Sequence, residues 1–107
     1  MGVCRNKNSM KGKVVLITGG NVGIGYETSV DMAKRGAKVI VGCRSFEGVK
    51  ERIVTAVPGA DVEVFRLDLS IKESVMDFCD QVRKNNDKVH VLINNAAIVS
   101  RQVLTYL

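Results

Sequence analysis

The 107-residue chain has no tryptophan, one proline, one histidine and only two tyrosines, and its aromatic content of 5% is low. That excludes the ladder of stacked rings on which single-stranded nucleic acid is held. Its three cysteines, Cys4, Cys43 and Cys79, are odd in number, far apart and without a C-x-x-C pair. A disulfide framework and a cysteine-rich zinc site are therefore both excluded. His90 stands alone at the head of an apolar run, with no partner pattern around it, and reads as structural rather than catalytic. No apolar run approaches the roughly 18 residues that a spanning helix needs, and the N-terminus lacks the apolar stretch of a secretory signal. The expected setting is reducing and cytosol-facing.

Acids are absent from residues 1–13, which carry Arg5, Lys7, Lys11 and Lys13. This arm accounts for four units of the net charge of +5, leaving twelve bases against eleven acids in the rest of the chain. A basic arm over residues 1–12 can brush phosphate or anionic lipid, or simply be a solvated tail. With no basic helix behind it, no nucleic-acid partner is expected.

What the chain does have is the balance of an ordinary globular domain, 46% hydrophobic and 25% charged, and a length that makes one domain of residues 13–107. Strand-length apolar runs alternate with stretches of helical period, the pattern of repeated βαβ units. Val14-Val15-Leu16-Ile17 is continuously apolar and β-branched, as expected of a parallel strand covered on both faces. A helix over 24–35, stopped by Gly36, follows. The run Val39-Ile40-Val41 comes next, then a helix with Val49, Ile53 and Val57 on one stripe, ended by Pro58-Gly59. Val62 and Val64 alternate with Glu63, which predicts a strand near a sheet edge. Ser70 and Glu73 have the spacing of a capping box, and Ile71, Val75, Phe78, Cys79 and Val82 fall on one helical stripe. Val89 to Ile93 is a fourth strand, ending in Asn94-Asn95-Ala96-Ala97. The predicted order is β-α-β-α-β-α-β.

The chemistry lies at the first strand-to-helix junction, Thr18-Gly19-Gly20-Asn21-Val22-Gly23-Ile24-Gly25. A glycine-rich turn between a strand and a helix N-terminus is suited to a pyrophosphate. Gly19 can take the tight turn, Gly23 lets the phosphates approach the backbone, Gly25 lets the helix pack on the strand, and the free amides favour the anion. A merely flexible turn is the alternative. A carboxylate at the end of the second strand would accept from the adenine-side ribose hydroxyl of NAD. Here that end reads Gly42-Cys43-Arg44-Ser45, with no acid. Arg44 can fork onto the additional phosphate of NADP, with Ser45 beside it, unless it is an ordinary solvated charge. The expected cofactor is NADP(H).

Through Thr18 to Gly25, Arg44, Asp68-Leu69 and Asn94-Asn95-Ala96, the chain resembles the short-chain dehydrogenase/reductase family. Gly2-Val3-Cys4-Arg5 and Cys43-Arg44 are similar to the NADP-dependent retinol dehydrogenases within it. The resemblance implies an α/β fold, a three-layer Rossmann-type doubly wound parallel sheet, here incomplete with about four strands in the order 3-2-1-4. It implies that Asp68 accepts from the adenine amino group, that Leu69 presents its backbone there, and that Asn95, Ala96 and Ala97 line the inner ribose. Asp68 could otherwise be a turn acid. Ala97 stands where the family has glycine, a swap that is tolerated unless the backbone there needs positive φ.

The family's proton-transfer machinery, a Tyr-x-x-x-Lys pair assisted by serine, is not found. Tyr26 has Val30 four positions on, Tyr106 has no room for a partner, and Ser100 follows the fourth strand too closely. No catalytic residue is assigned. The leading expectation is a fragment or short isoform of an NADP(H)-dependent oxidoreductase that binds cofactor but is inactive alone. Its parent would interconvert a lipophilic alcohol and carbonyl, retinol and retinal among them. The alternative is a non-catalytic dinucleotide-binding or interaction module. An uncovered fourth strand would favour self-association. Met1-Gly2-Val3-Cys4 has the look of an acylation start, although Asn6 stands where Ser or Thr is wanted. The retinol dehydrogenases carry a similar Gly-Val-Cys-Arg after a membrane segment, and the resemblance implies membrane association, at the endoplasmic reticulum for example, as an alternative to a free chain.

Overall fold

In the computed structural model, residues 9–19, 23–68 and 70–94 are described. They form β1 (Val14–Thr18), α1 (Gly23–Lys34), β2 (Lys38–Cys43), α2 (Val49–Ala56), β3 (Val62–Arg66), α3 (Lys72–Asn85) and β4 (Val91–Asn94). All strand pairs are parallel, in the order β3-β2-β1-β4. The register sets Ile17 beside Val41 and Ile93, and Val39 beside Val62.

Side chains alternate across this sheet, so each central strand feeds two cores. Val15, Ile17, Val39 and Val41 meet Ala33 of α1 and Val49 and Ile53 of α2 on one face. Leu16 and Ile40 meet Val75, Phe78, Cys79 and Val82 of α3 on the other. Val15, Leu16, Ile17, Val39, Ile40 and Val41 are fully buried, which is why their runs are unbroken by polar residues. Each such side chain contributes about 1.5–3 kcal/mol of burial, as an upper estimate against a compact unfolded chain. β3 lies at the edge, with Val62 buried and Glu63 and Val64 half-buried, as its alternation predicts. Helix α1 closes in a Schellman motif: Gly36, at φ 93°, donates to Ala33 O, and Ala37 donates to Met32 O.

Two local expectations are corrected. Ser70 does not cap α3. The residue at the N-cap is Ile71, in extended backbone and with no side-chain cap, and the Ser70 hydroxyl and amide both donate to Asp68 Oδ1, at 2.7 and 3.0 Å. The helix therefore begins after Ile71, leaving that side chain 42% exposed and off the buried stripe. Strand β4 begins at Val91 rather than Val89, because His90 joins it to β1 in another way. Its amide donates to Val14 O, and its Nδ1 accepts from the Val14 amide, both at 2.9 Å. This histidine is a fastener at the foot of the sheet.

Candidate functional site

Parallel strands deliver all their C-terminal ends to one side. In this order the crossovers run one way from β1 to β2 and β3 and the other way to β4, so a crevice is expected at the head of β1. Thr18, fully buried, ends β1 between Gly42 of β2 and Asn94 of β4. Gly19 follows with φ 71°, and its amide donates to Gly42 O at 2.7 Å. That left-handed backbone turns the chain off the sheet while keeping it tied to β2, and it suits a residue with no Cβ. Helix α1 opens at Gly23, so Gly23, Ile24 and Gly25 form its first turn. Further along, the Ser29 hydroxyl donates to Gly25 O at 2.9 Å. The helix N-terminus faces this edge with its free amides.

At the head of β2, Cys43 is buried and its thiol lies 3.5 Å from Ser45 O. Burial pushes the thiol pKa up, so this cysteine packs as a small apolar group and not as a nucleophile. Arg44 and Ser45 are exposed beside it. The β2–β3 pairing runs one residue past the strand, through the Leu67 amide to Cys43 O at 2.9 Å. This places Asp68 over the same edge. The Asp68 amide donates to Ser74 Oγ of α3 at 2.9 Å. The Ser70 hydroxyl and amide, with Arg44 and Arg66 nearby, hold its carboxyl below the usual carboxylate range. An ionised Asp68 is an acceptor only, as an exocyclic amine requires.

Gly19, Gly23, Gly25, Arg44, Ser45 and Asp68 thus meet along one edge, with Ile24 in the helix turn above it. Asn21, Leu69, Asn95, Ala96 and Ala97 lie outside the described residues, as do Ser100 and Tyr106. Tyr26 serves packing instead. The Arg52 guanidinium lies 4.6 Å from its ring centroid, and its hydroxyl reaches Arg52 O at 3.4 Å, joining α1 to α2.

Three features escape a reading of sequence alone. The first is Gly42, where a Cβ would stand 2.8 Å from Leu67 Cδ2 and from Phe78 Cε1 and Cζ. Its hydrogen lets α3 close over the head of β2. The second is the Ser70 and Ser74 pair that grips Asp68 from both sides; the D-x-S spacing is its only trace. The third is Arg66, exposed at the end of β3, whose register partner is Cys43. Neither Arg44 nor Arg66 forms a salt bridge among the described residues, where Arg35, Lys38 and Arg83 do. Guanidiniums without such partners, a helix N-terminus and an ionised carboxylate fit a phosphorylated adenosine.

Residues 13–106 match the family described as short chain dehydrogenase. Retinol dehydrogenase 11 of Homo sapiens is 41% identical over 101 residues, which are 92% of this chain and 32% of that protein. Retinol dehydrogenase 12 of Mus musculus is 40% identical over 101 residues, with the same two coverages. A metagenomic short-chain oxidoreductase solved in complex with NADP superposes with a TM-score of 0.75 at 31% identity, covering 85% of this chain and 42% of that one. The chain spans about a third of the length of the curated relatives it matches.

Proposed function

The chain belongs to the short chain dehydrogenase family, and from that premise we propose that it binds NADP(H) across the C-terminal edge of its sheet, as the coenzyme half of an alcohol–carbonyl oxidoreductase. The observation that carries the reading is Arg44, exposed at the head of β2 where no acid stands, along the same edge as the glycine turn at Gly19. A carboxylate at that position would repel a 2′-phosphate, whereas a guanidinium attracts it. The NADP named for the metagenomic relative supports the same choice.

In this reading the first turn of α1, from Gly23 through Ile24 to Gly25, meets the pyrophosphate beside Gly19 and Asn21. Arg44 and Ser45 take the 2′-phosphate. Asp68 accepts from the adenine amine, next to the Leu69 backbone, and Asn95, Ala96 and Ala97 line the inner ribose. The bound coenzyme would supply the hydride. The proton donor expected for such chemistry, a Tyr-x-x-x-Lys pair, does not occur among the 107 residues. The proposed behaviour of the chain by itself is therefore binding without turnover. The retinol in the names of its relatives supports a lipophilic alcohol and its carbonyl, retinol and retinal among them, as the proposed substrate class of the complete active site.

The test is a side-by-side fluorescence titration with NADPH and NADH. The expected result is tighter binding of NADPH, by about tenfold or more, with the preference lost in Arg44→Ala, as charge-assisted hydrogen bonds of about 1.5–3 kcal/mol would give before screening. Equal affinities in the unaltered chain would remove Arg44 from this role, and steady oxidation of NADPH with retinal would overturn binding without turnover.

A second reading, self-association, draws on β4, an uncharged and proline-free strand whose outer edge pairs with no described strand. Sedimentation over a wide concentration range distinguishes it from a monomer.

A further inference from the structure

Arg66 is the last residue of β3, and its backbone partner is Cys43, the residue directly before Arg44. Paired strands lie about 5 Å apart, so the two arginines leave the sheet from neighbouring strand heads. Direction matters as well as distance. Val62 and Val64 pack into the core under α1 and α2, and Phe65 packs into the opposite core under α3. Alternation therefore places Arg66 on the α2 side. The chain leaving β2 turns to that same side, since Val49 and Ile53 of α2 seal that core. The loop over residues 44–48 and Arg66 therefore leave from adjoining strand heads, and the Asp68 carboxyl feels the charges of both Arg44 and Arg66.

Both guanidiniums are exposed, and neither is neutralised by a salt bridge among the described residues. A dianion lying between these strand heads would be attracted by both charges. A phosphate monoester carries between one and two negative charges near neutral pH and offers three acceptor oxygens, more than one guanidinium can satisfy. We propose that Arg66 is a second specificity-determining residue, which with Arg44 grips the phosphate on the 2′ position of the coenzyme's adenosine. The inference rests on the reading that the adenosine end of NADP(H) lies on this edge. Asp68, whose carboxyl feels both guanidiniums, is assigned to the base in the same reading.

Calorimetry with adenosine 2′,5′-bisphosphate and adenosine 5′-monophosphate isolates this end of the coenzyme from the nicotinamide end. The expected outcome is that Arg66→Ala weakens the bisphosphate about tenfold and leaves the monophosphate within about twofold, with Arg66→Lys recovering part of the loss because it keeps the charge without the fork. Circular dichroism melts of each variant report whether the fold is retained. Equal weakening of both nucleotides would assign Arg66 to tuning Asp68 and overturn the proposal, as would no change in either. Selectivity lost in Arg44→Ala but intact in Arg66→Ala would remove the second guanidinium while leaving the coenzyme reading in place. Failure of the unaltered chain to distinguish the two nucleotides would bring down both.

Discussion

Asp68 owes its low pKa first to the Ser70 hydroxyl, next to the Ser70 amide, and only then to Arg44 and Arg66. Such a carboxylate contributes to stability at neutral pH and above its unfolded-state value, and the contribution is lost as pH falls through the lowered folded-state value. Ser70→Ala is expected to raise the Asp68 pKa toward the ordinary range, seen as an upward shift of its carboxyl titration by NMR, with the fold unchanged. An unaltered titration would show that the hydroxyl is not what holds the charge. Gly42 makes the opposite kind of demand, for empty space. Gly42→Ala would press a methyl against Leu67 and Phe78, and overpacking of this kind costs about 1–3 kcal/mol. Chemical denaturation should show that loss, reduced in the Phe78→Leu background where one of the two neighbours is smaller. Additive losses would place the strain elsewhere.

At the scale of the elements, the buried strands are legible in the sequence because burial on both faces permits no polar residue. Val14 to Ile17 and Val39 to Val41 could hardly be anything else, and the glycine turn is readable because it sits where one of them ends. The start of α3 departs from its sequence pattern because two local bonds compete for Ser70, and the preceding Asp68 wins the hydroxyl that a helix cap would have used. Gly42 and Arg66 are invisible in the sequence for a different reason. Their significance comes from neighbours on other elements, Phe78 from α3 and Cys43 from β2, and no spacing along the chain encodes those meetings. His90 lies between these cases: its structural role is legible, its partner is not. His90→Ala removes the acceptor for the Val14 amide at the foot of β1. The expected loss is about 1 kcal/mol, which for a domain of this size lowers the melting temperature by about 4–8 °C. His90→Asn, which restores a short acceptor, should recover part of it, and no change in either variant would mean that water replaces the ring at no cost.

Across the whole molecule, stability and the proposed binding share the same edge. Strands β1, β2 and β3 are joined through α1 and α2, which seal one face of the sheet, while β4 is held to the sheet by β1 alone among the described strands, and Val91, Leu92 and Ile93 are only half-buried. A ligand lying over the heads of all four strands would tie these parts together. By mass action, NADPH at a hundred times its dissociation constant adds about 2.7 kcal/mol to the folded state, which corresponds to a rise in melting temperature on the order of 10 °C for a chain of this length. NADH at the same concentration, bound tenfold more weakly, would give about half that stabilisation. Differential scanning fluorimetry with both coenzymes, on the unaltered chain and on Arg44→Ala, should therefore show two separated shifts that merge when the guanidinium is removed. Were the two coenzymes to raise the melting temperature equally before the substitution, the phosphate would have no grip on this edge. Were neither to raise it, the crevice at the head of β1 would not be the place where a dinucleotide binds.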